Sequence, residues 1–468
     1  MPVAGLIPMG ENEPGDCFLK LKRLSKQCFI LESMEDESDT GRYTFIGYDP
    51  KLELTCKDGS LVIRGGAEIE LEVDDPGVHI RKVLADNLSP RIPGLPPFTG
   101  GLVGYFSYDY IKYSEPSIKF PATDHAAFRD VDLMLFDKLI AFDRLEKVIY
   151  LIVNIKTDAF DENYNRALGE IAHMGEIISG GAPAKPKKLR LSSEWRPLFG
   201  KGLYCDMVRR AKKYIHEGDI FQVVLSNRLE CDAEGSLFDT YRVMRETNPS
   251  PYMFYFSSDD VEIAGSAPET LVKLRDGRVS TFPLAGTRGR GKTPDEDAAL
   301  ERELLADEKE LAEHNMLVDL GRNDIGRISR FGSVRVDNYL SIERFSHVMH
   351  IGSTVSGEMR SSMDAVCAIA SLLPAGTLSG APKIRACQII SELEGERRGI
   401  YGGAVGYIAF TGDMDTCIAI RIAYKKSGKV YIRSGAGIVA DSDPEREYEE
   451  CGRKLGSVIE ALERGQDR

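Results

Sequence analysis

Long apolar runs, paired cysteines and an excess of positive charge are all absent from this chain of 468 residues. No stretch of 18 apolar residues occurs, so the sequence predicts no membrane-spanning helix. The nine cysteines are scattered singly without a C-x-x-C motif, which indicates reduced thiols and no thiolate metal site. The formal net charge of −13 argues against binding to nucleic acid or to an anionic membrane. The N-terminal residues have neither a basic region nor an apolar segment typical of a signal peptide, so we expect a cytoplasmic protein.

The remaining composition is that of a globular protein, with 42% hydrophobic and 28% charged residues. Residues 181–198 are rich in Gly, Pro and Lys, which cannot pack a core and therefore predict a linker. We expect an N-terminal region over residues 1–180 and a second domain over residues 199–468.

Apolar runs separated by short turns predict antiparallel strands. The runs cover residues 133–142, 147–155, 261–265, 271–275, 278–282, 404–411, 416–425 and 429–434. Residues 143–146 separate the first two runs and predict an antiparallel hairpin. Asp276-Gly277, between the runs at 271–275 and 278–282, is a strong hairpin signal. The last three runs are also joined by short turns, which cannot connect parallel strands. With an amphipathic helix predicted over residues 161–178, the pattern indicates an α+β fold, in which helices pack outside a large antiparallel sheet system.

Two pairs of glutamates stand out, each with i,i+3 spacing. Glu310 and Glu313 form one pair, and Glu447 and Glu450 form the other, with Lys454 one turn further on. Residues three apart share a helix face. Four converging carboxylates repel one another unless a cation lies among them, and an all-oxygen set suits a hard ion, Mg²⁺ above all. A solvated helix face is the alternative for either pair alone, and the helix dipole offers Glu447 a capping role.

Helix start signals precede both pairs. Thr293 and Pro294, with Glu296 at the third helical position, form a capping box, and we expect that helix to run to about residue 320, either unbroken or with one break. Asp443-Pro444 begins the last helix. Both glutamate pairs are therefore predicted to be helical.

Small-residue segments offer further candidate sites. The loop at residues 374–382 leads into a helix whose free N–H groups suit a carboxylate or phosphate, or forms only a tight turn. Gly435, Gly437 and Ala440 fit a relaxed dinucleotide pattern, but no second strand or acidic residue can follow at the required distance. The other interpretation is that these glycines let the backbone approach a bound anion. His347 and His350 could be metal ligands, yet an acid–base role suits them better because no third nitrogen or sulfur ligand lies nearby.

Eight segments, taken in order, carry a resemblance to a known family. They are Ile-Phe-Gln-Val-Val-Leu-Ser at 220–226, Gly-Ser-Ala-Pro-Glu at 265–269, Phe-Pro-Leu-Ala-Gly-Thr at 282–287, Glu-Lys-Glu-Leu-Ala-Glu-His at 308–314, and the segments at 317–324, 374–383, 398–406 and 434–437. Residues from about 200 to 462 resemble the chorismate-utilising enzymes. The resemblance implies a large antiparallel β-sandwich flanked by helices, and an enzyme that acts on chorismate.

Two positions favour one branch of that family. Members that add water to chorismate carry Lys where this chain has Gln222, and aminodeoxychorismate synthases carry an attacking Lys where it has Ala285. Ammonia needs no activating base, so both residues favour an enzyme that converts chorismate and ammonia to anthranilate and pyruvate, the first step of tryptophan biosynthesis. The alternatives are an aminodeoxychorismate synthase, an isochorismate or salicylate synthase, and a non-catalytic tryptophan-binding regulator.

The resemblance also implies roles for individual residues. Mg²⁺ would be held by Glu310, Glu313, Glu447 and Glu450. Glu269 would be the acid that protonates the leaving hydroxyl, with His350 and Thr377 beside it and His350 as the candidate base. The residues implied in substrate binding are Gln222, Ala285, Gly286, Thr287, Tyr401, Arg421, Gly435, Ala436, Gly437 and Lys454.

Regulation and a partner are implied in the same way. The residues that resemble a tryptophan feedback pocket are Leu31, Glu32, Ser33, Pro251, Tyr252 and Met253. No cysteine has the G-x-C-x-G setting of many glutamine amidotransferases. A separate glutamine amidotransferase chain is therefore expected to supply ammonia, in a hetero-oligomer for which we expect a heterotetramer.

Overall fold

The structure is a computed structural model that describes residues 1–34, 41–345 and 348–468. Its α-helices are α1 (Pro14–Lys22), α2 (Pro76–Ala85), α3 (Phe160–Gly180), α4 (Lys201–His216), α5 (Phe238–Thr247), α6 (Pro294–Ala306), α7 (Glu308–Gly326), α8 (Ala365–Leu372), α9 (Lys383–Glu394) and α10 (Pro444–Gln466). Two 3-10 turns cover Tyr108–Tyr113 and Gly376–Leu378. None of the helices in the described ranges combines the length and apolar character needed to cross a lipid bilayer.

The strands are β1 (Pro2–Pro8), β2 (Cys28–Glu32), β3 (Tyr43–Tyr48), β4 (Leu52–Lys57), β5 (Ser60–Arg64), β6 (Glu68–Glu72), β7 (Gly101–Phe106), β8 (Val131–Phe136), β9 (Lys138–Asp143), β10 (Val148–Asn154), β11 (Arg190–Leu191), β12 (Arg196–Pro197), β13 (Gln222–Glu234), β14 (Tyr252–Ser257), β15 (Val261–Ala267), β16 (Thr270–Arg275), β17 (Arg278–Thr281), β18 (Leu284–Gly289), β19 (Arg335–Arg344), β20 (Val348–Glu358), β21 (Gly380–Ala381), β22 (Ala404–Ala409), β23 (Met414–Ile418), β24 (Ile422–Lys426) and β25 (Lys429–Ile438).

Within the described residues these strands form two sheets, and every pairing between named strands is antiparallel. The first sheet has 13 strands in the order β1-β10-β9-β3-β2-β14-β15-β24-β25-β13-β11, with β12 and β21 also paired to β13. The second has 12 strands in the order β18-β20-β17-β16-β23-β22-β7-β8-β4-β5-β6, with β19 paired to β20. The predicted α+β class and antiparallel sandwich are confirmed.

The two sheets pack face to face through a shared aromatic core. Phe29 of the first sheet meets Phe136 of the second edge to face, with ring centroids 4.8 Å apart. A Cβ at Gly47 would lie 2.2 Å from the Phe29 ring, so this strand position must be glycine for the ring to fit. Truncating such a buried ring costs about 3–5 kcal/mol.

Helices cover the outer faces of both sheets. Buried residues of α1, α3, α5 and α10 pack on the first sheet, and α4 and α9 pack beside them. Residues of α2, α7 and α8 pack on the second sheet. Both sheets combine strands from the two sides of residues 181–198, since β2 pairs with β14 and β7 pairs with β22.

The predicted hairpins β9–β10 and β16–β17 and the predicted helix α3 are confirmed. Two of the predicted strands are each two strands in the structure, so these predictions were wrong. The run at 133–142 divides at Asp137 into β8 of the second sheet and β9 of the first, and the run at 416–425 divides into β23 and β24 in the same way. Strands buried on both faces show no alternation, so an apolar run conceals the point where the chain changes sheets.

The caps of the site helices follow the sequence signals. The Thr293 side chain accepts from the N–H of Glu296, and the Asp443 side chain accepts from the N–H groups of Glu445 and Arg446. The helix expected from residue 294 to about 320 is two helices, because Asp307 ends α6 and caps α7. This break starts a new helix immediately before the first glutamate pair.

Candidate active site

Glu269 lies buried between β15 and β16, with 8% of its surface exposed. Thr377 Oγ1 donates a hydrogen bond to Glu269 Oε1 at 3.0 Å. Burial raises the pKa of Glu269 to about 8, while the Thr377 hydrogen bond, the Arg421 charge and the Leu284 N–H act in the opposite direction. The carboxyl is therefore protonated at neutral pH, as a proton donor must be.

Arg421 lies where the chain crosses from β23 in the second sheet to β24 in the first. Its φ of 51° is in the left-handed region, which is uncommon for a residue with a side chain. Burial lowers the pKa of its guanidinium, and the charge of Glu269 opposes that effect. Among the residues that the structure describes, its side chain has no hydrogen-bond or ion-pair partner. A half-buried cation in this state is suited to receive a carboxylate from a ligand.

His350 on β20 faces the same region. Its Nδ1 lies 2.8 Å from the backbone oxygen of Gly286 and 3.1 Å from Thr287 Oγ1. A carbonyl oxygen only accepts, so Nδ1 carries the proton and Nε2 is the basic nitrogen. Burial lowers the pKa of His350, with the charge of Arg421 adding to the effect. The imidazole is therefore neutral at pH 7 and able to take up a proton.

The first glutamate pair adjoins this histidine through the backbone of Gly286. Gly286 has φ of 65°, and a Cβ built there would lie 3.2 Å from Glu310 Oε2. Burial raises the pKa of Glu310, and the neighbouring charge of Glu313 adds to the rise. The two carboxylates are thus close enough to repel each other, as the i,i+3 spacing predicts.

The second pair lies on α10 against β25. Lys454 Nζ is 2.8 Å from Glu450 Oε1 and donates to the backbone oxygen of Gly435 at 3.1 Å. Burial raises the pKa of Glu447, while a hydrogen bond from Ser442 lowers it and the charge of Glu450 raises it. The sequence-predicted residues Glu447, Glu450, Lys454 and Gly435 are therefore neighbours in space.

The antiparallel pair β13–β25 brings further predicted residues to this place. A Cβ at Gly437 would lie 2.6 Å from Gln222 Nε2, so the amide rests directly on glycine backbone. A Cβ at Gly435 would lie 3.1 Å from the hydroxyl of Tyr401, which is buried. The Ala436 side chain is fully buried in the core below, so only its backbone is available to a ligand.

The two glutamate pairs lie less close to each other than the two residues within each pair do. The positive charge of Lys309, at the start of α7, is close enough to Glu447 on α10 to act on its pKa. Across residues 1–34, 41–345 and 348–468, no three carboxylate, imidazole or thiol side chains come close enough together to hold a metal ion. His347 lies outside the described residues.

Comparison with known proteins agrees with this geometry. Residues 26–460 match the chorismate binding enzyme family. The chain belongs to this family. Anthranilate synthase component 1 of Acetivibrio thermocellus is 45% identical over 449 residues, which cover 94% of this chain and 90% of that protein. Anthranilate synthase component 1 of Aquifex aeolicus is 44% identical over 459 residues, which cover 96% of this chain and 92% of that protein.

Two solved structures show the same fold as this chain. The crystal structure of anthranilate synthase component I from Streptococcus pneumoniae TIGR4 matches with a TM-score of 0.80 and 36% identity, covering 97% of this chain and 98% of that one. The menaquinone-specific isochorismate synthase MenF from Escherichia coli matches in fold alone, with a TM-score of 0.73 and 19% identity, covering 99% of this chain and 95% of that one. The resemblance predicted from the sequence is confirmed.

A second region of this chorismate binding protein lies apart from Glu269, in a cavity of about 360 Å³ between the sheets. All six residues that the sequence assigns to a feedback pocket line it: Leu31, Glu32, Ser33, Pro251, Tyr252 and Met253. Aromatic and polar side chains complete its wall, among them Phe45, Tyr407 and Asp415. A cavity of this size with a few polar groups is typical of a small-molecule site.

Glu32 is held in that wall by residues that the sequence did not indicate. Its carboxylate forms ion pairs with Arg144 at 2.7 Å and Arg245 at 2.8 Å, and accepts a hydrogen bond from the Tyr241 hydroxyl. These partners are 100 residues or more away along the chain, so no local spacing could have indicated them.

The cavity and the acid are adjacent along the chain. Pro268 and Thr270 line the 360 Å³ cavity, whereas Glu269 between them lines a separate cavity of about 30 Å³ with Thr377 and Asp324. Consecutive residues in extended backbone point to opposite sides. Asp324 and its partner Lys383 lie inside segments that carried the family resemblance, yet no role was predicted for either residue.

Proposed function

We propose that this chain is the chorismate-converting component of an anthranilate synthase, a cytoplasmic lyase that forms anthranilate, pyruvate and water from chorismate and ammonia. One observation carries the proposal: Arg421, which has no hydrogen-bond partner among the described residues, lies within electrostatic reach of both a protonated Glu269 and a neutral His350. In the order Glu269, Arg421, His350, the three side chains supply what the reaction needs. These are an acid, a carboxylate receptor and a base. The nine cysteines are free and eight are buried, which suits a reducing compartment.

The substrate is a dianion, and the site offers cationic groups at two places. Arg421, with the hydroxyl of Tyr401 and the backbone of 435–437, would bind the enolpyruvyl carboxylate. Lys454 would lie near the ring carboxylate. In a chain with a net charge of −13, such local cations are needed to favour an anionic ligand.

The two glutamate pairs offer the oxygen donors that a hard divalent cation takes, although among the described residues no three of them come close enough together to hold one. Glu310 and Glu447 each have a pKa raised by burial and by a neighbouring carboxylate, and a cation among them would relieve both costs. Glu310, Glu313, Glu447 and Glu450 would hold Mg²⁺, directly or through water. When bound, the ion would neutralise the ring carboxylate of chorismate.

The chemistry of the side chains follows from their protonation. Ammonia adds at C2 of chorismate while the C4 hydroxyl leaves, and the Glu269 proton goes to that oxygen so that water departs. Thr377 orients the carboxyl by its hydrogen bond. The added nitrogen loses a proton to become an amine. Nε2 of His350 then takes the proton from C2, and the bond between the ring and the enolpyruvyl oxygen breaks as the ring becomes aromatic. The enolpyruvate that leaves takes up a proton and becomes pyruvate.

Two positions set the choice of nucleophile. Gln222 cannot act as a base toward water, and its amide packs on the backbone of Gly437. Ala285 is buried and presents only a methyl group, so no covalent attack from this position is possible. Both features favour ammonia over the chemistry of isochorismate, salicylate or aminodeoxychorismate synthases.

We infer that tryptophan binds in the 360 Å³ cavity as a feedback inhibitor. The aromatic residues Phe45 and Tyr407 suit an indole, while Ser33 and Asp415 offer polar contacts to the amino acid backbone. The end product of a pathway that starts with anthranilate would thus bind outside the site where chorismate reacts.

Ammonia would be supplied by a glutamine amidotransferase chain. The relatives are named component 1, and this chain has no cysteine in a nucleophile setting, since eight of its nine are buried and none is flanked as G-x-C-x-G. We propose a hetero-oligomer, and a heterotetramer as its form.

One incubation tests the proposed function. The purified chain is mixed with chorismate, Mg²⁺ and ammonium at alkaline pH, and we expect anthranilate fluorescence together with an equal amount of pyruvate. Glu269→Gln is the control and should form neither. A product that retains the enolpyruvyl ether would instead indicate an aminodeoxychorismate synthase, isochorismate would indicate the water-adding branch, and tryptophan binding without turnover a regulator.

A further inference from the structure

Lys383 lies buried at the first position of α9 and holds a second buried charge. Its Nζ is 2.6 Å from Oδ2 of Asp324 on α7, and both side chains are 7% exposed. Nζ also donates to the backbone oxygen of Leu372, the last residue of α8, at 2.9 Å. One ammonium thus joins three helices.

These contacts close the base of the loop that carries Thr377. The loop at 373–382 leaves α8 after Leu372 and enters α9 at Lys383, so the ammonium bonds one end of the loop to the other. Ser371 Oγ also donates to the backbone oxygen of Asp324 at 2.6 Å, which ties the end of α8 to α7. The two ends of the loop and α7 therefore form one unit.

The loop also packs directly on α7. A Cβ at Gly376 would lie 2.8 Å from Leu320 Cδ1, so the backbone next to Thr377 touches the helix. Asp324, Thr377 and Glu269 line the same cavity of about 30 Å³. A shift of Asp324 on α7 would therefore also move the Thr377 hydroxyl that donates its hydrogen bond to Glu269.

A buried ion pair is a poor device for stability alone. The cost of removing two charges from water offsets their attraction, and an apolar pair of similar size is often as stable. What an ammonium adds is direction, because its N–H groups bond a carboxylate and a carbonyl at the same time. Here both acceptors belong to elements that frame the Thr377 loop.

We propose that Lys383, together with Asp324, is a positioning residue that holds the 373–382 loop so that Thr377 donates its hydrogen bond to Glu269. The inference rests on the proposed function in that Glu269 is the acid of the reaction. It adds that the protonation of this acid is set from α7 and α9, outside the residues that contact substrate.

The test uses two variants of the full chain. Asp324→Leu/Lys383→Met removes the ion pair without leaving a buried charge, and Thr377→Val removes the hydrogen bond itself. Arg210→Met is the matched control, because Arg210 forms an exposed ion pair with Glu392 on the same α9. Folding of each variant is checked by thermal unfolding.

The readout is the titration of the Glu269 carboxyl, followed as the infrared difference between each variant and the same variant with Glu269→Gln. Charged or polar groups that face this carboxyl are Thr377, Arg421 and the N–H of Leu284, with Asp324 across the small cavity. Because the Thr377 bond favours the carboxylate, its loss should move the midpoint from about pH 8 to higher pH, by about one pH unit. Thr377→Val and the double variant should show the same rise, their combination no further rise, and Arg210→Met none.

Turnover gives a second measurement on the same variants. We expect kcat to fall about tenfold or more in the double variant while KM for chorismate changes less than about threefold. Should the double variant fail to fold, Ser371→Ala removes only one tie of the same unit and should raise the midpoint by a smaller amount.

A folded double variant or Ser371→Ala variant with an unchanged Glu269 midpoint would overturn the inference. So would a combined variant whose rise is the sum of the two. The infrared titration needs no substrate. A failure to form anthranilate would therefore contradict the proposed function, but it would not change the outcome of the titration.

Discussion

His314 Nε2 lies 2.7 Å from Ser353 Oγ, and both residues are buried. His314 follows Glu313 on α7, whereas Ser353 lines the 360 Å³ cavity, so this hydrogen bond spans from the glutamate helix to the cavity wall. Ser353 Oγ also accepts from the N–H of Leu340 at 3.0 Å. Within the described residues, the other imidazole nitrogen of His314 has no hydrogen-bond partner.

The buried imidazole should make stability fall in acid. Burial lowers the pKa of His314 from 6.5 to about 4, so below pH 6.5 the unfolded chain gains a proton that the folded chain does not. Stability should therefore decrease as pH falls from 6.5 to about 4, by about 3 kcal/mol from this group. In His314→Gln the fall of the thermal-unfolding midpoint between pH 7 and pH 4.5 should be smaller.

His173→Gln is the matched control for that measurement, because His173 is exposed on α3. Equal acid sensitivity in the parent, His314→Gln and His173→Gln would contradict the prediction.

Replacing Glu269 should nearly abolish turnover, and in the parent the pKa of Glu269 should set the pH above which kcat declines. Glu269→Gln keeps the side-chain size but cannot donate a proton, so kcat should fall by about 10²–10⁴-fold. In the parent the protonated form is active and burial sets the pKa to about 8, so kcat should decline as pH rises through that value. Initial rates of anthranilate formation at saturating ammonia between pH 6.5 and 9.5 measure both effects. A parent rate that keeps rising through pH 9.5 would mean that another group is the acid.

Loss of one carboxylate from either pair should weaken Mg²⁺ binding. Glu313→Gln and Glu450→Gln should each lower the affinity by at least about tenfold, because a divalent ion loses one of its few charged ligands. Calorimetric titration of the resting protein with Mg²⁺ measures this without turnover.

Glu308→Gln on α7 and Glu449→Gln on α10 are the matched controls, since both residues are exposed on the same helices. If all four variants bind Mg²⁺ like the parent, the metal assignment is wrong.

A bulky side chain at Ser33 should relieve inhibition by tryptophan. Ser33 is buried and lines the 360 Å³ cavity, so Ser33→Phe should fill part of the space for the indole. We expect the tryptophan concentration for half inhibition to rise at least about tenfold, with turnover within about threefold of the parent. Anthranilate formation with increasing tryptophan measures it, and Ser192→Phe, at an exposed position, should behave like the parent. Unchanged inhibition in Ser33→Phe would remove the feedback site from this cavity.

The sequence predicted the fold class and the glutamate helices because their signals are local. Thr293 and Asp443 cap helices as their neighbours indicate, and Asp276-Gly277 forms its hairpin. Gly435 and Gly437 were predicted as site residues because they are part of one short contiguous motif. Which of these residues become neighbours was implied only through the family resemblance.

Other features depend on contacts that no local pattern records. The crossing at residues 419–421 is hidden in an apolar run that belongs to both sheets, and Arg421 owes its place to that crossing. Lys383 and Asp324 are 59 residues apart, and their pairing appears only when α7 and α9 are packed. The ion pairs of Glu32 on β2 depend in the same way on two distant segments, the turn between β9 and β10, which carries Arg144, and α5, which carries Arg245.

Pro268 lines the 360 Å³ cavity, and the next residue, Glu269, is the proposed proton donor, so no intervening segment can absorb a shift between them. We therefore expect that a substitution of Pro268 that changes the shape of the 360 Å³ cavity also displaces the Glu269 carboxyl. Strains selected for resistance to inhibition by tryptophan should carry their substitutions at residues 31–33 or 251–253, where the cavity can change shape without loss of activity. Substitutions at residue 268 should be rare among them.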